Sequence, residues 1–271
     1  MAAFRPAYDD HAIDAVIFQL IFDTPLGPGD FAAVEAQHLK WREELPALQT
    51  GQADPIRLPG FLALPPQTTG VSFAHLRPDG LPAWQIRFDP GSISVLCTRF
   101  IRWERVWKTA ARYLGKALEL IAAQPGGDRR LTAAMLQMAE RFVSPAEGYD
   151  AGQLLRPGAH VPHALFGLGP VWHNNMGWFE RSSAAGEADG EVLHNLNIAS
   201  NPSALPDTTT QEAMMGIGIT HIQEWRLAPP GTLADVAALT DRLNAGMPAL
   251  HVANRRLIAD LLTPEMAKRA G

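Results

Sequence analysis

Nine histidines stand in the chain, and five of them, His160, His163, His173, His194 and His221, fall between residues 160 and 221. A neutral imidazole is a good metal ligand and a good general base, so this density points first to metal-assisted or acid–base chemistry. The five are also scattered over loops and separate strand-like segments, where histidines serve equally well as hydrogen-bonded members of sheets and turns. Only convergence on one cavity separates the two readings. His221 and Glu224 lie three apart in one strand-like segment, which puts them on opposite faces and weakens a local acid–base pair. Cys97, the single cysteine, shares a strand face with Ile93 and Val95; a nucleophile there would need a lowered pKa and exposure, so core packing is the stronger reading. The chain has no G-x-x-x-x-G-K-[ST], no G-x-G-x-x-G after a strand, no G-x-S-x-G and no H-E-x-x-H. Catalytic residues are left unassigned on this reading, and neither a cofactor nor a metal is expected.

Two stretches carry binding chemistry instead. Trp172 to Phe179 mixes amides with large aromatics, a composition of binding surfaces as well as of sheet edges, and makes Trp172, His173, Asn174, Asn175 and Trp178 candidate contacts. From Arg99 to Lys116, six basic residues face one acid, Glu104; this local +5 sits in a chain of formal charge −5, leaving the remainder at about −10. Lys108, Arg112 and Lys116 recur every four residues and share a helix face with Arg105 beside it. Such a face is either ordinary solvated surface or a dock for an acidic partner or a phosphate backbone. The overall acidity and a pI near 6.0 argue against a general nucleic-acid coat, so nucleic acid enters only through this local face.

The elements that must position these groups are read from periodicity. Trp84, Ile86 and Phe88 alternate with polar residues, as do Ile93, Val95 and Cys97, and Asp89-Pro90-Gly91 between them makes a hairpin. After Arg99 the period lengthens: Trp103, Val106, Trp107, Ala110, Leu114, Leu118 and Ile121 form the apolar stripe of a helix ended by Pro125-Gly126-Gly127. Ile13 to Phe22 reads as a central strand buried on both sides. Asp30 is a candidate N-cap of a helix carrying Phe31, Val34, His38, Trp41 and Leu45, residues 51–70 an irregular crossover, and Val71 to Arg77 a strand. Leu131 to Val143 is ambiguous: its Ala, Leu, Met and Glu prefer helix, yet alternate residues could line a strand. Val171 to Arg181, Glu191 to Ile198 and Gly216 to Leu227 read as strands, and Asn201 to Thr210 as a polar excursion. Thr232 and Asp235 open a helix with Leu233, Val236, Leu239 and Leu243, broken at Gly246-Met247-Pro248 and resumed from Leu250 to Leu261.

Several of these segments resemble a sporadically distributed bacterial family of about 250–280 residues whose function is not established. Ala12 to Phe22 looks like its opening A-V-F-E-I-R-F strand, Trp84 to Trp107 like its hairpin and aromatic helix start, and Ala139-Glu140-Arg141-Phe142-Val143 like its R-Y-I-N-R strand. Leu250-His251 through Leu261-Leu262-Thr263-Pro264-Glu265 is similar to its closing L-H…F…I-T-P-E segment. Phe142-Val143-Ser144 departs from the family at an asparagine. The resemblance transfers a layout and no site residues, and it implies a strand at Leu136 to Val143.

A chain of 271 residues, 46% hydrophobic and 19% charged, can bury one large core or two smaller ones. The expectation is an α+β protein of two similar β-α-β-β-β-α-like halves, residues 1–126 and 127–271, with antiparallel sheets under long helices, as two units or one continuous domain. One cysteine, a start at Met1 to Asp10 without a secretion signal and no apolar run of membrane-spanning length predict a cytoplasmic location. The expected function is non-enzymatic protein–protein binding in a bacterial defence or toxin-neutralising setting. The alternative is an enzyme or small-molecule binder with a pocket between sheet and helix, using the second-half histidines.

Overall fold

Period-two alternation dominates the described chain and produces one ten-stranded antiparallel sheet. The computed structural model describes residues 4–8, 10–51, 70–124, 129–181, 190–203 and 213–270. Its strands are β1 (Arg5–Pro6), β2 (Ile13–Phe22), β3 (Ala47–Gly51), β4 (Gly70–Leu76), β5 (Pro82–Asp89), β6 (Ser92–Cys97), β7 (Arg130–Pro145), β8 (Trp172–Arg181), β9 (Gly190–Ser203) and β10 (Met214–Thr232). The helices are α1 (Pro28–Ala36), α2 (His38–Trp41), α3 (Trp103–Ala122), α4 (Val236–Leu261) and α5 (Pro264–Ala270). The strand order is β3-β4-β5-β6-β2-β7-β10-β9-β8, with β1 lying along β7 beyond the end of β2. Pairing of β2 with β7, in which Phe18 faces Leu136 and Val16 faces Met138, joins the first and second stretches of the chain in one sheet.

One face of the sheet is covered by α3 and α4. Val106, Trp107, Ala110, Leu114 and Leu118 of α3 are buried against Phe18, Ile86, Phe88 and Val95, in the phase that the spacing of apolar residues predicts. The first half of α4 continues this core through Leu239, Leu243 and Met247, and its second half covers a further cluster through Leu257, Ile258 and Leu261.

One ambiguity is resolved and several expectations are corrected. Residues 131–143, left open between helix and strand by their pattern and expected as strand over Leu136 to Val143 from the resemblance, belong to a strand of 16 residues, β7, despite their helical propensity: β2 and β10 hydrogen-bond to its two edges, and most of its side chains are buried. Tertiary pairing overrides an intrinsic preference of a few tenths of a kcal/mol, about 0.7 at most, per residue. Helix α4 runs unbroken through Gly246-Met247-Pro248. An interior proline costs about 3 kcal/mol, and burial of seven apolar side chains along this helix, at about 1.5–3 kcal/mol each, exceeds it. Asp30 is not the N-cap of the first helix; Gly27 is, and Asp30 reaches back from the third helical position to accept from the Gly27 N–H at 2.7 Å. That helix also divides at Gln37 into α1 and α2, and a strand, β3, follows where none is expected. The Pro125-Gly126-Gly127 stop, the crossover at 52–69 and most of the excursion at 201–210 lie outside the described residues.

Candidate functional site

The helix-covered face of the sheet carries a line of polar and aromatic side chains where its neighbours are aliphatic. Alternation brings Trp178 of β8, His194 of β9, His221 of β10 and Glu140 of β7 to this side, and Trp178 is the cross-strand neighbour of His194. The Trp178 ring stacks on His194, with centroids 4.8 Å apart and planes 1° apart, and the His160 ring stacks on the same indole with centroids 4.7 Å apart. His194 and His221 meet through Nδ1 and Nε2 at 3.0 Å. From above, Asn254 of α4 bridges the last two members: its Oδ1 lies 2.8 Å from His221 Nδ1 and its Nδ2 3.5 Å from Glu140 Oε1.

Hydrogen-bond chemistry orients this array. A carboxamide oxygen only accepts, so His221 Nδ1 carries a proton; the neutral His221 ring then accepts at Nε2 from His194 Nδ1–H. Every donor therefore points along the series His194, His221, Asn254, Glu140, which turns the bond dipoles toward the carboxyl group. An amide has no readily exchanged proton to pass on, so the series fixes orientation and is not a proton wire. Glu180 Oε2, on an exposed side chain, lies 3.4 Å from His194 Nε2 and is paired by it only when the ring carries a second proton.

Burial sets the protonation states. His221 is 1% exposed and its pKa falls to about 4, chiefly by desolvation of the charged ring; desolvation also lowers His194, with Glu180 opposing. Glu140 is buried, and desolvation lifts its carboxyl to about 7 against the weaker pull of Asn254, its only hydrogen-bond partner among the described residues. The carboxyl is thus poised between its neutral and charged forms at neutral pH.

Glu140 and Asn254 open into a cavity of about 350 Å³ between β7, α4 and the start of α3. Its walls include Met138 and Ile258, an aromatic corner formed by Trp103 and His251, and Arg255. The rings of Trp103 and His251 stack at 3.9 Å with planes 1° apart, fastening α3 to α4. Desolvation, then the charge of Arg255, holds His251 down to about 4, so a neutral ring forms this wall.

Of the five histidines singled out by density, the fold gathers His160, His194 and His221. His163 is exposed and meets Phe166 edge-on, and His173 is exposed on the opposite face of β8. Among the described residues no three His, Cys, Asp or Glu side chains form a metal-ion site. Trp172 is buried and gives its indole N–H to Tyr149, Asn174 donates to the His160 carbonyl, and Asn175 is exposed. Arg105, Lys108, Arg112 and Lys116 are all exposed on α3, and Arg112 is paired with Glu44. Cys97 is fully buried and burial lifts its thiol to about 12, so it packs. Glu140, Asn254, His251 and Trp103 were not among the candidate site residues. The available signal was a charged pair, Glu140-Arg141, inside an otherwise apolar strand pattern, and a His251…Asn254 spacing of one helical turn.

No family model matches the chain, and comparison with curated proteins and with solved structures finds no match.

Proposed function

We propose that the protein binds a small molecule in the cavity between α3, α4 and β7, and that the ligand presents a basic nitrogen to Glu140. The observation that carries this reading is a buried carboxyl, raised to about 7 and held by one amide, at the wall of a cavity within the size range of ligand pockets. A buried charge without an opposite charge is costly, and an ammonium or amidinium group would supply the missing partner and favour the carboxylate. The stacked Trp103–His251 pair offers a flat wall for the ligand's apolar part. Affinity for a cationic ligand rises as pH passes upward through about 7. A fragment screen of amines and carboxylic acids by ligand-observed NMR, at pH 6 and 8, tests this. Amines should bind the wild type more tightly at pH 8 and should lose binding in Glu140→Gln; amine binding unchanged by that substitution sinks the reading.

A second reading, docking of a protein partner on α3, is favoured by the exposure of Arg105, Lys108 and Lys116. The engagement of Arg112 by Glu44 narrows that face. Internal duplication is supported by the strand order: in each half the first strand, β2 or β7, lies beside the last, β6 or β10, and a helix, α3 or α4, follows. Kinship with the bacterial family, a defence setting and a cytoplasmic location rest on the sequence features alone. No helix among the described residues is long and apolar enough to cross a membrane.

A further inference from the structure

A second cleft, separate from the Glu140 cavity, lies on the outer side of α3. It has a volume of about 350 Å³, and its charged and polar lining consists of His75, Arg99, Arg105 and Thr109, with Trp84 and Ile101 among its apolar walls. Among the described residues no acidic side chain lines it, in a chain whose formal charge is −5. Three pieces of the fold converge there. His75 of β4 and Trp84 of β5 are cross-strand partners, Trp84 pairs in turn with Cys97 of β6, and Arg99 stands in the bend just after β6. Arg105 and Thr109 follow one turn apart on α3.

The cations are available. Among the described residues neither Arg99 nor Arg105 has an ion-pair partner, and the nearby Glu44 carboxylate is occupied by Arg112 and Tyr113. The Glu44 main-chain oxygen accepts from His75 Nδ1–H at 3.2 Å, which fixes the ring and leaves Nε2 to accept from a ligand, or to donate to a phosphate oxygen when the ring is protonated. Two guanidinium groups in one cleft repel each other until an anion bridges them, and their planar donor forks match phosphate oxygens. Trp84 is half-buried and gives a planar group a ring to lie against.

We infer that this cleft binds a small phosphate-bearing molecule with a planar group, the phosphate held by Arg99 and Arg105 with help from His75 and Thr109, and the ring set against Trp84. The cleft's volume suits one such molecule rather than a nucleic-acid strand. Calorimetric titration of the full-length protein with adenosine monophosphate, inorganic phosphate and adenosine tests it. The monophosphate should bind, inorganic phosphate more weakly, adenosine not detectably, and added salt should weaken both anions. Arg99→Gln and Arg105→Gln should each weaken monophosphate binding about tenfold, the loss of one charge-assisted hydrogen-bond set, while Lys108→Gln and Glu140→Gln leave it unchanged. Both arginines are exposed, so the variants should keep the wild-type circular dichroism; Thr109→Val is a third, milder probe. Three results overturn the inference: no heat from the monophosphate, equal binding by both arginine variants, or a ten-nucleotide single strand that binds far more tightly and is weakened by Lys108→Gln. The last would make the basic side of α3 a nucleic-acid face.

Discussion

Glu140 carries a stability cost that grows as pH rises. The carboxyl has a folded pKa of about 7, above the ordinary value of 4.5, so between those values the folded chain holds a proton that the unfolded chain has released. Stability from this group is therefore full below pH 4.5 and falls as pH rises to 7, by about 3 kcal/mol at 1.36 kcal/mol per pKa unit. His221 and His251 act oppositely. Their folded values near 4 lie below 6.5, so their contribution is present above pH 6.5 and is lost as pH falls toward 4. Glu140→Gln should leave stability near wild type at pH 5 and raise it by up to about 3 kcal/mol at pH 8, as read by urea unfolding. Equal stability of the two proteins at pH 8 would place the carboxyl in water. This part of the site was not legible from the chain order. Glu140 and Asn254 are 114 residues apart, on a strand and a helix, and nothing local to either shows that they meet.

Among the elements, α3 and α4 cover the same sheet under different constraints, and their glycines separate them. Gly246 of α4 packs against the fully buried Trp225, and an added Cβ would overlap the six-membered ring of the indole, 2.1 Å from its nearest carbon; a Cβ on Gly115 of α3 would meet open space. Gly246→Ala should destabilise by about 1–3 kcal/mol or more, whereas Gly115→Ala should stabilise by about 0.5–1 kcal/mol by relieving backbone entropy. Thermal unfolding of both variants checks this, and a Gly246→Ala protein with unchanged melting would contradict the packing. In the same helix as Gly115, Leu114→Ala should cost about 2–5 kcal/mol and Lys108→Ala close to zero; equal costs would mean that the phase of α3 is misplaced. That phase was legible, as were β2, β5 and β6, because each rests on an uninterrupted local period. Strand β7 was not legible from its own period, since its residues favour helix; the resemblance implied a strand over Leu136 to Val143, and the neighbours β2 and β10 decide it. Nor was the continuity of α4 through Pro248, which rests on burial along the helix against the sheet, with Gly246 set on Trp225 of β10.

For the whole molecule the decisive feature is the β2–β7 pairing at the middle of the sheet. The main core runs through it without a gap, taking Phe18 and Trp107 from the first stretch and Leu136, Trp225 and Leu243 from the second. Unfolding should then be one cooperative transition, with far-ultraviolet circular dichroism and tryptophan fluorescence giving coincident denaturant midpoints. Two separated midpoints would mean that the halves unfold independently. The β-α-β-β-β-α plan anticipated for each half is not reproduced in its order of elements: among the described residues no α-helix stands between β7 and β8, and four strands rather than three separate α2 from α3. Which strands become neighbours at the join is a property of the assembled sheet, and no periodicity within either stretch encodes it.

The central claim is that a carboxyl group buried beside a ligand-sized cavity changes charge at neutral pH. Carbon-13 NMR of the side-chain carboxyls across pH 3 to 9, with Glu140→Gln used to assign the signal, measures it directly. One glutamate should titrate near 7, and its signal should be missing from the variant. A wild-type protein in which every glutamate titrates below about 5.5, more than a unit short of that value, would contradict it.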